Sequence, residues 1–110
     1  MSIEKIKKLG EKKNVKKLVS FASSKKTEER AAAAEALGNA SDDAACNALI
    51  GLLRDPDTSV GVKAAQSLKK TNNKRAVEHL RHVALNTNDA ALKAACTDAV
   101  VSLSSRHTDA

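Results

Sequence analysis

A period of 31 residues constrains this chain more than any other feature of its sequence. Shifted by that interval, Val15, Cys46 and Val77 fall on one another, and so do Leu18, Leu49 and Leu80. Phe21, Leu52 and Val83 form the next set, followed by Ala22, Leu53 and Ala84. Further along, Ala33, Ala64 and Ala95 coincide, then Ala34, Ala65 and Cys96. Leu37 matches Leu68, the third copy carries Ala99 there, and Thr27 matches Thr58. Self-similarity at a period of this size marks stacked supersecondary units, each too small to bury its own apolar side.

Each copy reads as two helices. The first carries apolar residues three and four apart (Val15, Leu18, Phe21/Ala22, and the equivalents in the other copies), which is one stripe of an amphipathic helix. The second helices run through Ala31 to Leu37, Val60 to Leu68 and Ala91 to Leu103, with small inner positions that let neighbouring helices approach closely. Alanine is the best helix former and a poor strand former. With one Phe, no Tyr or Trp, one Pro and four Gly, the chain lacks the material of a β-sandwich or β-barrel. Its two cysteines are too few for a disulfide scaffold.

The connections agree with this reading. Arg54-Asp55-Pro56-Asp57-Thr58 contains a proline that cannot donate into a helix, then two candidate N-caps. Ser23-Ser24-Lys25-Lys26-Thr27 and Asn86-Thr87-Asn88-Asp89 occupy the same place in the other copies. Between copies, Gly38 suits a helix C-terminus and Ser41 or Asp42 can cap the next helix. Ahead of the first copy, Ile3, Ile6 and Leu9 form a short stripe ending at Gly10, read as a lone helix over the open end of the stack.

Arg30-Ala31-Ala32-Ala33-Ala34-Glu35-Ala36-Leu37-Gly38, and then Ala44 through Asp57, resemble the HEAT-like repeats first associated with phycobilisome lyases. The resemblance covers roughly residues 13–105. It implies an all-α fold: an α-α superhelix (a right-handed solenoid) of about three HEAT-like hairpins with an N-terminal capping helix. The expected division is one domain over 1–110, with a cap at 1–12, repeats at 13–42, 43–73 and 74–105, and a tail at 106–110. The resemblance also implies a concave surface, lined by the second helices, that holds partners. A few relatives attach bilin chromophores, a reading that rests on fold analogy alone. The chain departs from the family's Val-Arg pair at the start of the second helix: it has Glu29-Arg30, Val60-Gly61 and Ala91-Leu92, so only Arg30 keeps the basic residue.

The expected function is a non-catalytic scaffold or adaptor that binds another protein or peptide. If the second helices line the inner surface, the periodicity puts Arg30, Gly61 and Leu92 in one outward row and Glu35, Gln66 and Thr97 in another, with Lys63 and Lys70 nearby. Arg30, Glu35, Lys63, Gln66 and Lys70 are therefore the candidate partner-binding residues. A docked helix or peptide suits such a mixed surface better than a small molecule, because no aromatic-lined pocket is available. Of Val100, Val101 and Leu103 in the final helix, not all can face one partner helix, so a weak homodimer through that helix is a further expectation.

The alternative is a nucleic acid or another acidic partner. The formal charge is +6, and residues 1–30 hold ten basic and four acidic residues while the rest of the chain holds nine of each. That surplus is either an anion-facing end or a solvated lysine-rich helix. Lys12, Lys13, Lys16 and Lys17 are the candidate anion-binding residues, and phosphate contacts there would be salt-dependent. Phe21 falls on core positions, so base stacking lacks its parts.

No enzyme constellation emerges. His79 and His82 at i and i+3 could share a metal, but they lie off the apolar stripe and two ligands are too few. Cys46 and Cys96 replace apolar residues at core positions, as buried thiols do. The four glycines lie too far apart for a phosphate loop. No metal and no cofactor is expected. Free thiols, a charged start without a signal-peptide core and no long apolar run point to the cytoplasm and away from membranes.

Overall fold

The computed structural model of the chain describes residues 3–105. It is an all-helical solenoid: α1 (Ile3–Glu11), α2 (Val15–Phe21), α3 (Thr27–Leu37), α4 (Asp43–Leu52), α5 (Thr58–Thr71), a short 3-10 turn (Lys74–Ala76), α6 (Val77–Asn86) and α7 (Ala90–Ser105). The helices form two layers. One is the series α1, α3, α5, α7, each packed on the next; the other holds α2, α4 and α6, each packed on the second helix of its own hairpin. The body measures 40 × 34 × 17 Å.

The core is continuous from one end to the other, because each hairpin buries its stripe only against its neighbours. Leu18, Leu49 and Leu80, the equivalent leucines of the three copies, are all fully buried. Burial of one such side chain contributes roughly 1.5–3 kcal/mol relative to exposure. Between them, Ala33, Ala64 and Ala65 are also fully buried and keep the second helices close.

The helices start where short polar side chains accept the first free N–H groups. Asp42 accepts from the Ala45 amide at 3.1 Å, Asp57 from the Ser59 amide at 2.9 Å and Asp89 from the Leu92 amide at 2.8 Å. Asp57 also accepts from the Ser59 hydroxyl; these two bonds, the hydroxyl's first, hold its carboxyl below the usual range. At the other end of α5, Asn72 adopts the left-handed conformation (φ 57°) that short polar residues tolerate.

Gly38 closes α3 for a different reason from the one its position suggests. Its backbone is right-handed (φ −64°), a conformation open to any residue. What demands glycine is space: a Cβ there would stand 2.7 Å from Ser67 Oγ on α5. Gly10 plays the same part in α1, where a Cβ would meet that of Ala36 at 2.7 Å. Gly10 therefore corresponds to Gly38, Leu9 to Leu37 and Ile6 to Ala34. α1 is thus the second helix of an incomplete hairpin, offset by 28 residues rather than 31.

Candidate functional site

The second-helix layer presents one side to solvent, and there the three helices α1, α3 and α5 enclose a groove of about 710 Å³. α3 supplies the middle of its floor through Ala31, Ala32 and Ala36, with Ile3 of α1 beside them. Lys7 and Glu11 form the α1 wall; Ser59, Lys63 and Lys70 form the α5 wall; Glu28 and Glu35 rise from α3, and Asn39 from the turn just after it. The helices run in the same direction, because Lys63 Nζ meets Glu35 Oε2 at 3.4 Å and, two turns later, Lys70 Nζ donates to Asn39 Oδ1 at 2.8 Å. These bonds cross the seam between repeats on its solvent side. Beneath them, the buried Ser67 hydroxyl donates to the Ala34 carbonyl at 2.6 Å.

A second cleft of about 580 Å³ shares Glu11, Asn39 and Lys70 with the groove and continues it past the ends of α1, α3 and α5. Gly10, Gly38, Ser41 and Thr71 line it, and Lys13 stands at its outer edge. Lys13 is in the left-handed conformation (φ 54°) in the tight turn between α1 and α2. Lys12, Lys16 and Lys17 are exposed around the same turn.

Glu35, Lys63 and Lys70 thus come together on one surface. Gln66 is exposed on α5 but lines neither cleft. The expected outward row of Arg30, Gly61 and Leu92 is corrected: Gly61 and Leu92 are buried, and the row is the seam between consecutive repeats. A Cβ on Gly61 would stand 3.0 Å from both the Leu53 carbonyl and a Leu92 methyl. Arg30, in that seam, donates from Nε and Nη2 to the two carboxylate oxygens of Asp55 at 2.7 and 3.1 Å, and from Nη1 to the Ser24 carbonyl at 2.9 Å. Asp55 is 4% exposed, and its hydrogen bond raises the Arg30 pKa further above the ordinary guanidinium value. The guanidinium is an internal clamp between the first and second hairpins and lies outside both clefts.

The groove residues that periodicity alone did not single out fall into register with those it did. Glu28 and Ser59, Ala32 and Lys63, and Asn39 and Lys70 are equivalent pairs, and every one of these six lines the groove. Their third-copy counterparts, Ala90, Ala94 and Val101, are all exposed on α7, Val101 by 60%. The same inner surface therefore extends onto α7 and becomes apolar there. Thr97, the counterpart of Glu35 and Gln66, is exposed in that strip.

The other sequence candidates stay apart. His79 and His82 are exposed on α6, and His82 Nδ1 lies 3.4 Å from Asn86 Nδ2. Among the described residues no three His, Cys, Asp or Glu side chains gather as metal ligands. Cys46 and Cys96 are buried free thiols. Burial raises both pKa values; for Cys96 it reaches about 11, and for Cys46 the Arg75 guanidinium opposes it. Neither thiol has the exposure or the low pKa of a nucleophile. No described helix is long and apolar enough to cross a membrane.

Against known proteins, a family model for HEAT repeats matches residues 6–100. No curated protein matches the chain.

Proposed function

The chain belongs to the HEAT-repeat family, whose members commonly serve as protein-binding scaffolds, and from that premise we propose that it is a non-catalytic adaptor holding a partner polypeptide in the α1–α3–α5 groove. The groove itself carries this reading. It is open to solvent, with Ala31, Ala32 and Ala36 on its floor and polar side chains from all three helices around them. Such a trough admits an extended peptide or one face of a helix, since small floor residues let another backbone approach. Glu35, Lys63 and Lys70 would supply polar contacts at its rim. Rim pairs of this kind fix register and orientation more than they add affinity.

Site-specific photo-crosslinking in native extract tests the proposal. A crosslinker at Glu28 or Asn39 on the groove should trap the same partner, retained at high salt. A crosslinker at His79, on the other layer, should not. Capture from His79 alone, or no capture from either groove position, would refute the groove as the seat.

A further inference from the structure

We propose that the groove's occupant is an acidic polypeptide segment whose carboxylates leave the groove through the second cleft and lie over Lys13, Lys12, Lys16 and Lys17. The inference rests on the groove reading above and adds the chemistry and direction of the ligand. Its first support is charge. The entire surplus of +6 belongs to residues 1–30, and the remainder of the chain is balanced. Folding does not neutralise this end. Arg30 is taken up by Asp55, but Lys8, Lys12, Lys13, Lys16 and Lys17 are exposed, and none of these five is in an ion pair among the described residues.

The second support is continuity. The groove and the second cleft share Glu11, Asn39 and Lys70, so a chain lying along α3 passes Lys70 and reaches Lys13 without crossing a ridge. On the way it meets a Lys63 that Glu35 already engages and a Lys70 that, among the described residues, donates to the neutral amide of Asn39 and is in no ion pair. Lys70 and Lys13 outnumber Glu11, the one carboxylate lining the second cleft, so the junction of the two clefts keeps a net positive charge. Glu28 stands at the opposite end of the groove, beside Thr27 at the start of α3. A ligand with carboxylates at its Lys70 end and none at its Glu28 end matches both termini, and the reverse orientation matches neither.

The lysines would act mainly on encounter. A positive field over one end of a small body attracts an acidic chain and speeds association, and salt screens that attraction. A nucleic acid would use the same lysines but leave the alanine floor empty, and the chain has no exposed aromatic on which bases could stack.

The test is selection of binders from a random-peptide display library, followed by affinity measurements. Two groove-blocked variants, Ala32→Trp and Glu28→Trp, are compared with wild type, the second at an exposed position that spares the core. The third variant reverses charge at Lys12, Lys13, Lys16 and Lys17. Winning peptides should carry Asp and Glu clustered at one end. Each groove block and the charge reversal should weaken them at least tenfold, and raising the salt should weaken wild type but not the charge-reversed protein. Winners that need the groove but lack an acidic cluster, or ignore the charge reversal, overturn the inference and leave the groove reading standing. Absence of any groove-dependent winner overturns both. Short random duplex DNA that displaces the winners through the same four lysines would show that the basic end serves a nucleic acid, which also overturns the inference.

Discussion

Gly38→Ala tests the stacking of repeats at the point where it is tightest. The new methyl would stand 2.7 Å from Ser67 Oγ and 3.1 Å from both Ser67 Cβ and the Glu35 carbonyl. Ser67 can turn aside only by giving up its 2.6 Å bond to the Ala34 carbonyl, which is buried. Losing that bond costs about 1 kcal/mol. Shifting two packed helices to admit a methylene-sized group costs roughly 1–3 kcal/mol. Against this stands a gain of about 0.5–1 kcal/mol from replacing glycine where the backbone is right-handed. The steric side wins, with a net loss of about 2 kcal/mol. At about 2.1 cal/mol/K per residue, the 110 residues give an unfolding entropy on which this loss lowers the thermal midpoint by about 9 °C. The assay is thermal and urea unfolding followed by circular dichroism, run as a double-mutant cycle with Ser67→Gly. In that background the methyl has room and Gly38→Ala should become neutral or stabilising, a coupling of about 2 kcal/mol between residues on different repeats. Additive effects, or a stabilising Gly38→Ala in the wild-type background, would show that α3 and α5 do not meet there.

Three further outcomes follow from the same packing. Gly51, inside α4, has nothing within 4 Å of the site a Cβ would occupy; Gly51→Ala should raise stability by about 0.5–1 kcal/mol, read in urea midpoints. Arg30→Met should lower the thermal midpoint by several degrees, because it strands the buried Asp55, whereas Lys63→Met on its exposed pair should hardly move it. Cys96 ionises near pH 11 when folded but near pH 8.5 when unfolded, so between these values the unfolded chain binds fewer protons and stability falls as pH rises. Unfolding free energies measured across that window should decline less steeply for Cys96→Ala than for wild type, and identical slopes would contradict a buried neutral thiol.

The hairpins were legible because their first helices carry leucine in strict register, and Leu18, Leu49 and Leu80 met the same burial in every copy. The caps at Asp42 and Asp57 were legible for a similar reason, since a short acceptor before an apolar run has one common use. The rotation of the second helices was not. In α3, Ala31 through Ala34 put apolar residues on every side, so no stripe marks the inner face and its phase has to come from packing. Periodicity alone therefore places Arg30, Gly61 and Leu92 outward when they form the seam, and does not single out Ala32 or Glu28. Periodicity places Glu35 in an outward row with Gln66 and Thr97, and Lys63 and Lys70 lie near it because charge avoids a buried seam unless it is paired. The start of the stack was hidden by its own irregularity: the α1–α2 turn is three residues shorter than the register requires, so Gly10 did not fall on Gly38.

The contrast between seam and surface also says where the ligand's identity resides. Core positions hold similar residues from copy to copy, Leu18, Leu49 and Leu80 in the first helices and Ala33 and Ala64 in the second, although the seam row of Arg30, Gly61 and Leu92 varies. The inner rows line the groove or stand exposed beside it, and their residues change from copy to copy. Glu28 becomes Ser59 and then Ala90; Asn39 becomes Lys70 and then Val101. Core packing does not require these differences, since Glu28, Ser59, Asn39 and Lys70 line the groove and Ala90 and Val101 are exposed on α7. They form a gradient, charged on α1 and α3, basic on α5 and apolar on α7. The acidic segment proposed for the groove would use the charged part of this gradient, and the apolar strip on α7 lies beside that path. A partner uniform in charge or hydrophobicity could match one part of the solenoid but not the whole.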